Sequence, residues 1–403
     1  MSTVPAPGTV HVIRDDAEAI AAAHAFAAEI APTASDRDRS GEPPYAELER
    51  FAQTGLLAIQ VPKEYGGAGV SNETLVEVYR IIAVADPAIA QVPQNHVQFM
   101  DATKRFTSEA QRARYCAEIL AGGRFGNALS ERGGVTPLDI RSTIKRDADG
   151  VLRLNGTKYY STGALTASTI PVVAVNDEGT FTCAFVPRET PGVEPKQDWT
   201  AFGQRATISG SVVFTDVAVD DDWVIRDFPM PATEKLTFHA THQAIHVAID
   251  VGIARAALED AKRYVLERAR PFFETGLTRA ADDPFVMQQI GRMTVRVEAC
   301  EALLAKAARL LDEAERLGTE QSIDEARVGV AGAKAFACEV ALEVSSDIFE
   351  LTGTSAADRA HNLDRHWRNA RVHTLHDANR IKYQYVGNYR LNGIGPAAEA
   401  LLV

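Results

Sequence analysis

The sequence predicts an α+β protein of several domains, with a helical N-terminal domain, a middle β domain and a C-terminal four-helix bundle. The chain has 403 residues, whereas single hydrophobic cores rarely grow beyond about 250–300 residues. Alanine-rich stretches with apolar residues at helical spacing occupy both ends of the chain. Short runs rich in β-branched residues, separated by Gly, Asp and Asn, occupy the middle. Together these observations predict the order α–β–α.

Residues 1–125 are predicted to form the N-terminal all-α domain. Its helices are expected at 16–30, after the proline pair 43–44, at 73–85 and at 108–120. The proline pair indicates a helix start because proline fits the first turn, where its missing N–H is not needed.

Residues 126–232 are predicted to form a small antiparallel barrel or sandwich. The strand candidates lie at 152–156, 170–175, 211–214 and 217–219. Residues 233–403 are predicted to form the helical bundle, because three amphipathic stretches there have the length of bundle helices. These stretches cover 248–268, 287–317 and 324–351.

The composition is that of a soluble globular protein, with 46 % apolar and 24 % charged residues. The net charge of −12 argues against nucleic acid or an anionic membrane as a partner. The four cysteines are far apart in sequence, so no CxxC pair is present and a reduced, cytoplasmic setting is expected. Residues 1–16 lack the pattern of a signal peptide. No apolar run approaches the roughly 20 residues that span a bilayer.

Two segments of the β domain have the polar residues that a flavin ring requires. A flavin needs flat apolar contact and hydrogen bonds at its ring edge, and its phosphate needs arginines or backbone N–H groups. Asn127 and Ser130 lie in the first segment, 126–131. Tyr160 and Thr162 lie in the second, where short strands end. Taken singly, each of the four could equally be an ordinary polar residue at a strand end.

The second segment, NGTKYYSTG at 155–163, resembles the LNGxKxxITNG motif of the acyl-CoA dehydrogenase superfamily. The segments 126–131, 202–217 and 62–67 resemble further motifs of that family in the same order. The resemblance covers nearly the whole chain and implies an acyl-CoA dehydrogenase-like fold with a bound flavin. By position it implies that Thr162 bonds flavin N5 or O4, that Tyr160 lies beside the ring, and that Asn127 and Ser130 face it.

The same resemblance implies contacts to the flavin phosphates from the C-terminal domain. Arg268 and Arg270 fall where the family has an arginine near the phosphates, although either could instead be a solvated charge at a helix end. Gly353 falls in the family's glycine turn, which reaches a flavin held by the neighbouring subunit. Arg368 is a further expected cofactor contact. A homo-oligomer, by analogy a tetramer, is expected for this reason.

The motif that carries the catalytic base in the family is altered in this chain. Acyl-CoA oxidation needs a carboxylate base, and the register places Asp377 there, one methylene shorter than the usual glutamate. The following Gly-Thr of the family is replaced by Ala378-Asn379. Because a shift of about 1 Å can cost about 100-fold in rate, an orthodox dehydrogenase is not favoured. The stretch offers His373 and His376 instead.

The ending HTLHD at 373–377 resembles the oxygen-using branch of the superfamily, which contains dibenzothiophene monooxygenases and sulfur-acquisition oxidoreductases. The segments 93–96, 202–205 and 270–272 carry the same resemblance. It implies reduced FMN as cosubstrate, with FAD as a second option, and a separate flavin reductase. It also implies a flavin C4a-hydroperoxide that oxygenates a small, sulfur-containing substrate.

Within that interpretation, His376 protonates the peroxide with the support of Asn127 and Thr162, and His96 positions the substrate. Histidine suits this task because its ordinary pKa lies near 6.5. His246 and Phe202 are expected to line the substrate pocket. Alternatively, His373 and His376 pack locally as a half-buried helical pair.

A helical histidine series offers one more alternative. His239, His242 and His246 have i, i+3, i+7 spacing and could ligate zinc with Asp250. Helical spacing alone is a weak criterion, so no metal is expected. The rival functions are an acyl-CoA dehydrogenase that uses FAD and Asp377, and a helical scaffold without flavin.

Overall fold

The computed structural model describes residues 10–136, 138–230, 232 and 234–400, and its helices and strands alternate as α–β–α. The α-helices are α1 Asp16–Ile30, α2 Ala34–Ser40, α3 Tyr45–Gln53, α4 Asn72–Ala85, α5 Pro87–Gln91, α6 Gln94–Phe106, α7 Glu109–Leu120, α8 Phe238–Glu267, α9 Pro284–Leu317, α10 Glu320–Thr352, α11 Asp364–His373 and α12 Asn379–Asn392. The strands are β1 Thr143–Arg146, β2 Leu152–Lys158, β3 Thr169–Val175, β4 Phe181–Pro187, β5 Val193–Pro195, β6 Val212–Val219 and β7 Val224–Ile225.

Capping side chains set the starts of the N-terminal helices. Asp15 accepts a hydrogen bond from the backbone of Glu18 at the start of α1, and Ser71 does the same for Thr74 at the start of α4. Ser108 and Gln111 form a reciprocal capping box at α7. Such caps satisfy the N–H groups that a helix start leaves unpaired. The predicted helices of this part of the chain are confirmed.

The strands form one seven-stranded sheet in the order β5-β6-β2-β1-β3-β4-β7. All neighbouring strands are antiparallel except β1 and β3, which meet in parallel at Thr143 and Val175. The predicted β domain is confirmed, with two differences in detail. The β1–β3 pair is parallel, whereas an antiparallel barrel or sandwich was predicted. The two runs predicted at 211–214 and 217–219 belong to the single strand β6, which pairs with β2 on both sides of a bulge at Thr215 and Asp216.

The C-terminal helices share one apolar core with the N-terminal helices. Helix α8 is buried on almost every side, because α4, α10 and α9 pack around it. At the crossing of α4 and α8, a Cβ on Gly252 would lie 2.5 Å from the Cβ of Ala83. Only glycine permits this approach. The long helices α8, α9 and α10, with α12 against α10, are the predicted bundle.

The described helices include none that combines the length and apolar character needed to cross a bilayer. The expectation that no leader peptide is present rests on residues 1–16, of which 1–9 lie outside the described part of the chain.

Candidate functional site

A strained turn beside the sheet carries the predicted flavin-contact residues of the β domain. Tyr160 has a φ of 58°, which is uncommon for a residue other than glycine. Its carbonyl oxygen accepts hydrogen bonds from the backbone N–H of Thr162 at 2.9 Å and from Asn127 Nδ2 at 3.1 Å. The carbonyl oxygen of Ser130 accepts from the N–H of Tyr159 at 2.9 Å. These bonds bring the two predicted segments side by side.

Thr162 begins a chain of buried hydroxyl groups. Its Oγ1 lies 2.7 Å from Ser209 Oγ, which lies 2.9 Å from Thr207 Oγ1. The neighbouring Ser161 is 2 % exposed, and its hydroxyl has no hydrogen-bond partner among the described residues. Buried polar groups are normally paired, so a ligand or a water molecule is expected at this hydroxyl.

The loop after β5 ties this region to helix α11. The N–H of Gln204 donates to Asn369 Oδ1 at 2.6 Å. A Cβ on Gly203 would lie 1.9 Å from the carbonyl oxygen of Arg368, so this approach requires glycine. Helix α11, which leads to His373 and His376, is therefore fixed against the loop that ends the hydroxyl chain.

Three of the predicted site histidines meet where α8 contacts α11. His246 Nδ1 lies 3.0 Å from His373 Nε2. The rings of His246 and His376 are 4.0 Å apart between centroids, at an angle of 31°, and His242 lies 5.0 Å from His246 by the same measure. His246 and His373 are buried, whereas solvent reaches His376. His376 is therefore the member that a ligand can approach from outside.

A buried carboxylate helps to hold the histidine cluster in place. Asp250 Oδ1 accepts from His373 Nδ1 at 2.5 Å, and Oδ2 accepts from Lys334 Nζ at 2.9 Å. Asp250 and Lys334 have no exposed side-chain surface. Because a carboxylate only accepts, the His373 proton lies on Nδ1.

Burial sets the protonation of the cluster. It lowers the pKa of His242 and of His246 well below the ordinary value, and the neighbouring His376 adds to this effect. The protein packed around His376 also lowers its pKa, to about 4, against the opposing charge of Asp377, although one side of the ring is open to solvent. For Asp250, burial alone would raise the pKa, but Lys334 and His373 lower it. At neutral pH these three imidazoles are therefore uncharged and Asp250 is ionised.

Asp377 follows His376 in the chain but is engaged in an ion pair. Its Oδ2 lies 3.0 Å from Lys382 Nζ, and the two side chains are only 1 % and 2 % exposed. Burial lowers the pKa of Lys382, and the charge of Asp377 opposes that shift. The carboxylate at the position of the family's base is thus neutralised by a neighbouring cation.

His96 lies away from the cluster and has a different task. Its Nε2 lies 2.9 Å from the carbonyl oxygen of Leu57, and its Nδ1 accepts from the N–H of Phe125 at 3.0 Å. The residue is 1 % exposed, and burial lowers its pKa to about 4. Because both ring nitrogens are occupied by backbone groups, the structure contradicts the expectation that His96 positions a substrate.

The predicted phosphate contacts are not equivalent. Arg270 and Gly353 line the same cleft, of about 720 Å³, beyond the end of α8. Arg268 lines a separate cleft of about 550 Å³. Arg368 is committed to Asp38, at 2.8 Å, and to other acceptors. The structure therefore contradicts a flavin contact by Arg368 and favours Arg270 over Arg268 as a phosphate ligand.

Phe202, predicted in the substrate pocket, is 51 % exposed. Its ring stacks on that of Trp367, with 6.0 Å between centroids. Within the described residues, no cluster of histidine, cysteine or acidic side chains has an arrangement that could hold a metal ion. His239, His242 and His246 share one face of α8, but His246 is bonded to His373.

Sequence reasoning missed several residues of this site. Lys334 has no motif around it that indicates its role, and Ser209 lies in the motif at 202–217 but was given no role. Gln243 lies between the histidines of α8, is 1 % exposed, and has no partner for either side-chain amide atom among the described residues. The spacing of His239, His242 and Gln243 on one helical face was the available signal for it. Asp250 was considered only as a metal ligand.

Three models of the acyl-CoA dehydrogenase family match successive parts of the chain. The N-terminal domain model matches residues 14–123, the middle domain model 126–217, and the C-terminal domain model 244–380. The strained turn lies in the middle-domain match. His246, His373 and His376 lie in the C-terminal match, and His242 lies just before it.

The chain is similar over most of its length to proteins of known name. It is 33 % identical to dibenzothiophene monooxygenase of Rhodococcus qingshengii, covering 94 % of this chain and 95 % of that protein. It is 33 % identical to the probable FMNH2-dependent monooxygenase SfnC of Pseudomonas putida, with 94 % and 96 % covered. The crystal structure of FMN-bound TdsC from Paenibacillus sp. A11-2 superposes with a TM-score of 0.90 at 31 % identity, covering 96 % of this chain and all of that one. The chain therefore belongs to the acyl-CoA dehydrogenase superfamily, in the monooxygenase branch that contains the dibenzothiophene monooxygenases.

Proposed function

We propose that this protein is a flavin-dependent monooxygenase that uses reduced FMN and O2 to oxygenate a small, sulfur-containing substrate. The observation that carries the proposal is the arrangement of His376 over His246 and His373, while Asp377 is held in an ion pair. The names of the relatives, two of which include FMN or FMNH2, support the same conclusion.

The residues of the strained turn fit a flavin ring. Thr162 and Ser161 offer hydroxyl groups, and the Ser161 hydroxyl lacks a partner among the described residues. Tyr160 provides an exposed aromatic face beside them. Arg270 can bind the phosphate because it forms no ion pair within the described part of the chain. A flavin bound here would be held by Asn127, Ser130 and these residues, as the family resemblance implies.

The overall reaction balances with one equivalent of reduced flavin. FMNH2, O2 and a sulfur compound give FMN, water and the compound with one added oxygen atom. The two electrons come from the flavin, one oxygen atom forms the new S–O bond, and the other leaves as water with two protons. When bound, the reduced flavin supplies the electrons that activate O2.

The protein's part is to place hydrogen bonds and to exclude water. His376 is the solvent-accessible imidazole of the cluster, so we assign it the hydrogen bond to the reacting oxygen. The His246 ring packs against the His376 ring, and His373 is hydrogen-bonded to His246. Asn127 and Thr162 hold the strained turn of the β domain. Donors held in fixed positions stabilise developing charge where bulk water is excluded.

The acyl-CoA dehydrogenase alternative is less well supported. It needs a carboxylate free to remove a proton, and Asp377 lies 3.0 Å from the ammonium of Lys382 with 1 % of its side chain exposed. A carboxylate held against an ammonium group in this way is not free to approach a substrate.

We also propose a separate flavin reductase as the source of FMNH2, a homo-oligomeric assembly that is by analogy a tetramer, and a cytoplasmic location. Assembly is supported by exposed apolar side chains on the cleft that contains Arg270. Phe273 and Phe285 there are 80 % and 78 % exposed. Apolar patches of this kind commonly mark an interface between proteins.

The test is oxygen transfer from labelled O2. Purified protein, photoreduced FMN, ¹⁸O2 and methyl phenyl sulfide are mixed, and the product is analysed by mass spectrometry. We expect one ¹⁸O atom in the product only when protein and reduced FMN are both present. His376→Gln should reduce the rate by roughly 10²- to 10⁴-fold, the usual contribution of a positioned proton donor or acceptor.

The matched control is His24→Gln on α1, where the histidine is exposed and lies outside the cluster. It should retain the wild-type rate. A His376 variant as active as wild type would contradict the assignment. Rapid anaerobic bleaching of flavin-loaded protein by butyryl-CoA, without oxygen transfer, would favour the dehydrogenase instead.

A further inference from the structure

Three buried hydroxyl groups beside the strained turn form a hydrogen-bond chain that ends on a backbone carbonyl. Thr162 Oγ1 lies 2.7 Å from Ser209 Oγ, and Ser209 Oγ lies 2.9 Å from Thr207 Oγ1. Thr207 Oγ1 in turn lies 2.8 Å from the carbonyl oxygen of Gln204. Thr207 is 0 % exposed, Ser209 4 % and Thr162 6 %. Thr162 is therefore the member of the chain that a ligand can reach most easily.

The carbonyl end fixes the direction of every hydrogen bond in this chain. A hydroxyl group has one hydrogen to donate, whereas a carbonyl oxygen has none. The Thr207 hydrogen is therefore donated to Gln204, so the Ser209 hydrogen must be donated to Thr207. The Thr162 hydrogen is then donated to Ser209. Thr162 Oγ1 has no hydrogen left for a ligand, so it can only accept a hydrogen bond from one.

The carbonyl group of Gln204 is held in a fixed direction by its neighbours. Its oxygen also accepts from Trp199 Nε1 at 2.9 Å, and the N–H of Gln204 donates to Asn369 Oδ1 at 2.6 Å. Gln204 and Ile208 both have a φ of 47°, which is a true outlier for the β-branched Ile208. Backbone strain of this kind persists only where the surroundings hold it. The hydroxyl chain therefore has a rigid anchor.

From this chain we infer that Ser209 and Thr207 are positioning residues that set a preference for the reduced flavin ring, because they hold Thr162 as an acceptor. The inference rests on the proposed function for the flavin ring beside Thr162. Flavin N5 carries a hydrogen in the reduced ring and only a lone pair in the oxidised ring. An acceptor pairs with the first and leaves the second unpaired, which a buried site penalises. Flavin O4 is a carbonyl oxygen, so it cannot be the partner of Thr162.

Such a preference suits a protein that receives its flavin already reduced. Reduced FMN would gain a hydrogen bond at Thr162 on binding. The oxidised FMN left after the reaction would meet the same acceptor with a lone pair, so its release is favoured. The site would therefore take up the reduced flavin even where the oxidised form is also present.

The test measures flavin binding without substrate or oxygen. Anaerobic titration calorimetry at pH 7 gives the Kd values of oxidised FMN, photoreduced FMN and oxidised 5-deaza-FMN. The deaza compound has a C–H group in place of N5, so it keeps the shape of oxidised FMN without the lone pair. We expect the wild-type protein to bind reduced FMN and oxidised 5-deaza-FMN about tenfold more tightly than oxidised FMN.

Variants of the hydroxyl chain separate its direction from its mere presence. Ser209→Ala removes the acceptor of the Thr162 hydrogen, so the Thr162 hydroxyl can turn and donate to N5. Oxidised FMN should then bind more tightly, and the preference for reduced FMN should fall by about tenfold. Thr162→Val should weaken the binding of reduced FMN without this gain for oxidised FMN. The control Ser345→Ala removes a buried hydroxyl of α10 that donates to Leu342 and should leave each Kd unchanged.

Equal binding of the two redox forms by the wild-type protein would overturn the inference, and so would an unchanged preference in Ser209→Ala. If Ser209→Ala does not fold, Thr207→Val decides. It frees the Ser209 hydrogen, so an unchanged preference in it overturns the inference. Oxygen transfer is followed separately with ¹⁸O2. A preference for reduced FMN that depends on Ser209, without oxygen transfer to a sulfide, would contradict the proposed function while leaving the inference intact.

Discussion

Replacing Lys334 by methionine tests the buried support of the histidine cluster most directly. The change removes the ammonium 2.9 Å from Asp250 Oδ2, at a place where neither side chain has exposed surface. Removal of one partner from a buried ion pair typically costs about 3–5 kcal/mol, because the remaining charge is left uncompensated. A change of 1 kcal/mol moves the melting temperature of a unit of 150–250 residues by about 2–4 °C. The melting temperature should therefore fall by roughly 6–20 °C.

The assay is thermal unfolding followed by far-ultraviolet circular dichroism at pH 7. The control is Lys262→Met on the same helix as Asp250. Lys262 lies 2.9 Å from Glu259, but these side chains are 43 % and 46 % exposed, and exposed pairs contribute about 0–1 kcal/mol. The double variant Lys334→Met/Asp250→Asn should recover part of the loss, since no buried charge remains. Equal melting temperatures for Lys334→Met and Lys262→Met would refute the reasoning.

Three further predictions concern other contacts. Burial holds the pKa of His96 at about 4, below about 6.5 in the unfolded chain, so the unfolded state binds the proton first as the pH falls. The free energy of unfolding should therefore decrease by about 2 kcal/mol from pH 7 to pH 5. His96→Gln should make the free energy of unfolding depend less on pH in this range. Arg270→Ala should weaken reduced FMN binding about tenfold in a fluorescence titration, and an equal loss in Arg268→Ala would contradict the assignment. Gly203→Ala should lower the melting temperature by several degrees, because its Cβ would lie 1.9 Å from the Arg368 carbonyl oxygen; an unchanged value would contradict this.

The sequence was sufficient for the architecture, and it singled out two histidines that the structure brings together with His246. Helix periodicity is local, so it predicted α7 nearly to the residue. The ending 373–377 indicated His373 and His376 because the two residues lie within one short motif.

The supporting residues could not be predicted in this way. Asp250 lies 123 residues before His373 and 84 before Lys334, so no spacing along the chain indicates their contact. His96 was misassigned for a related reason. From the sequence alone, a buried histidine that binds two backbone groups cannot be distinguished from a catalytic histidine. The role of His96 became clear only from its contacts with Leu57 and Phe125 in the folded chain.

The close crossing of α4 and α8 at Gly252 has a consequence for how the molecule comes apart. The two helices belong to the N-terminal and the C-terminal helical domains, yet their apolar side chains belong to one continuous cluster. A fragment that ended before α8 would expose the apolar face of α4 to water. The N-terminal and C-terminal helical domains should therefore melt together as one cooperative unit, and a protease should not release either as a stable piece.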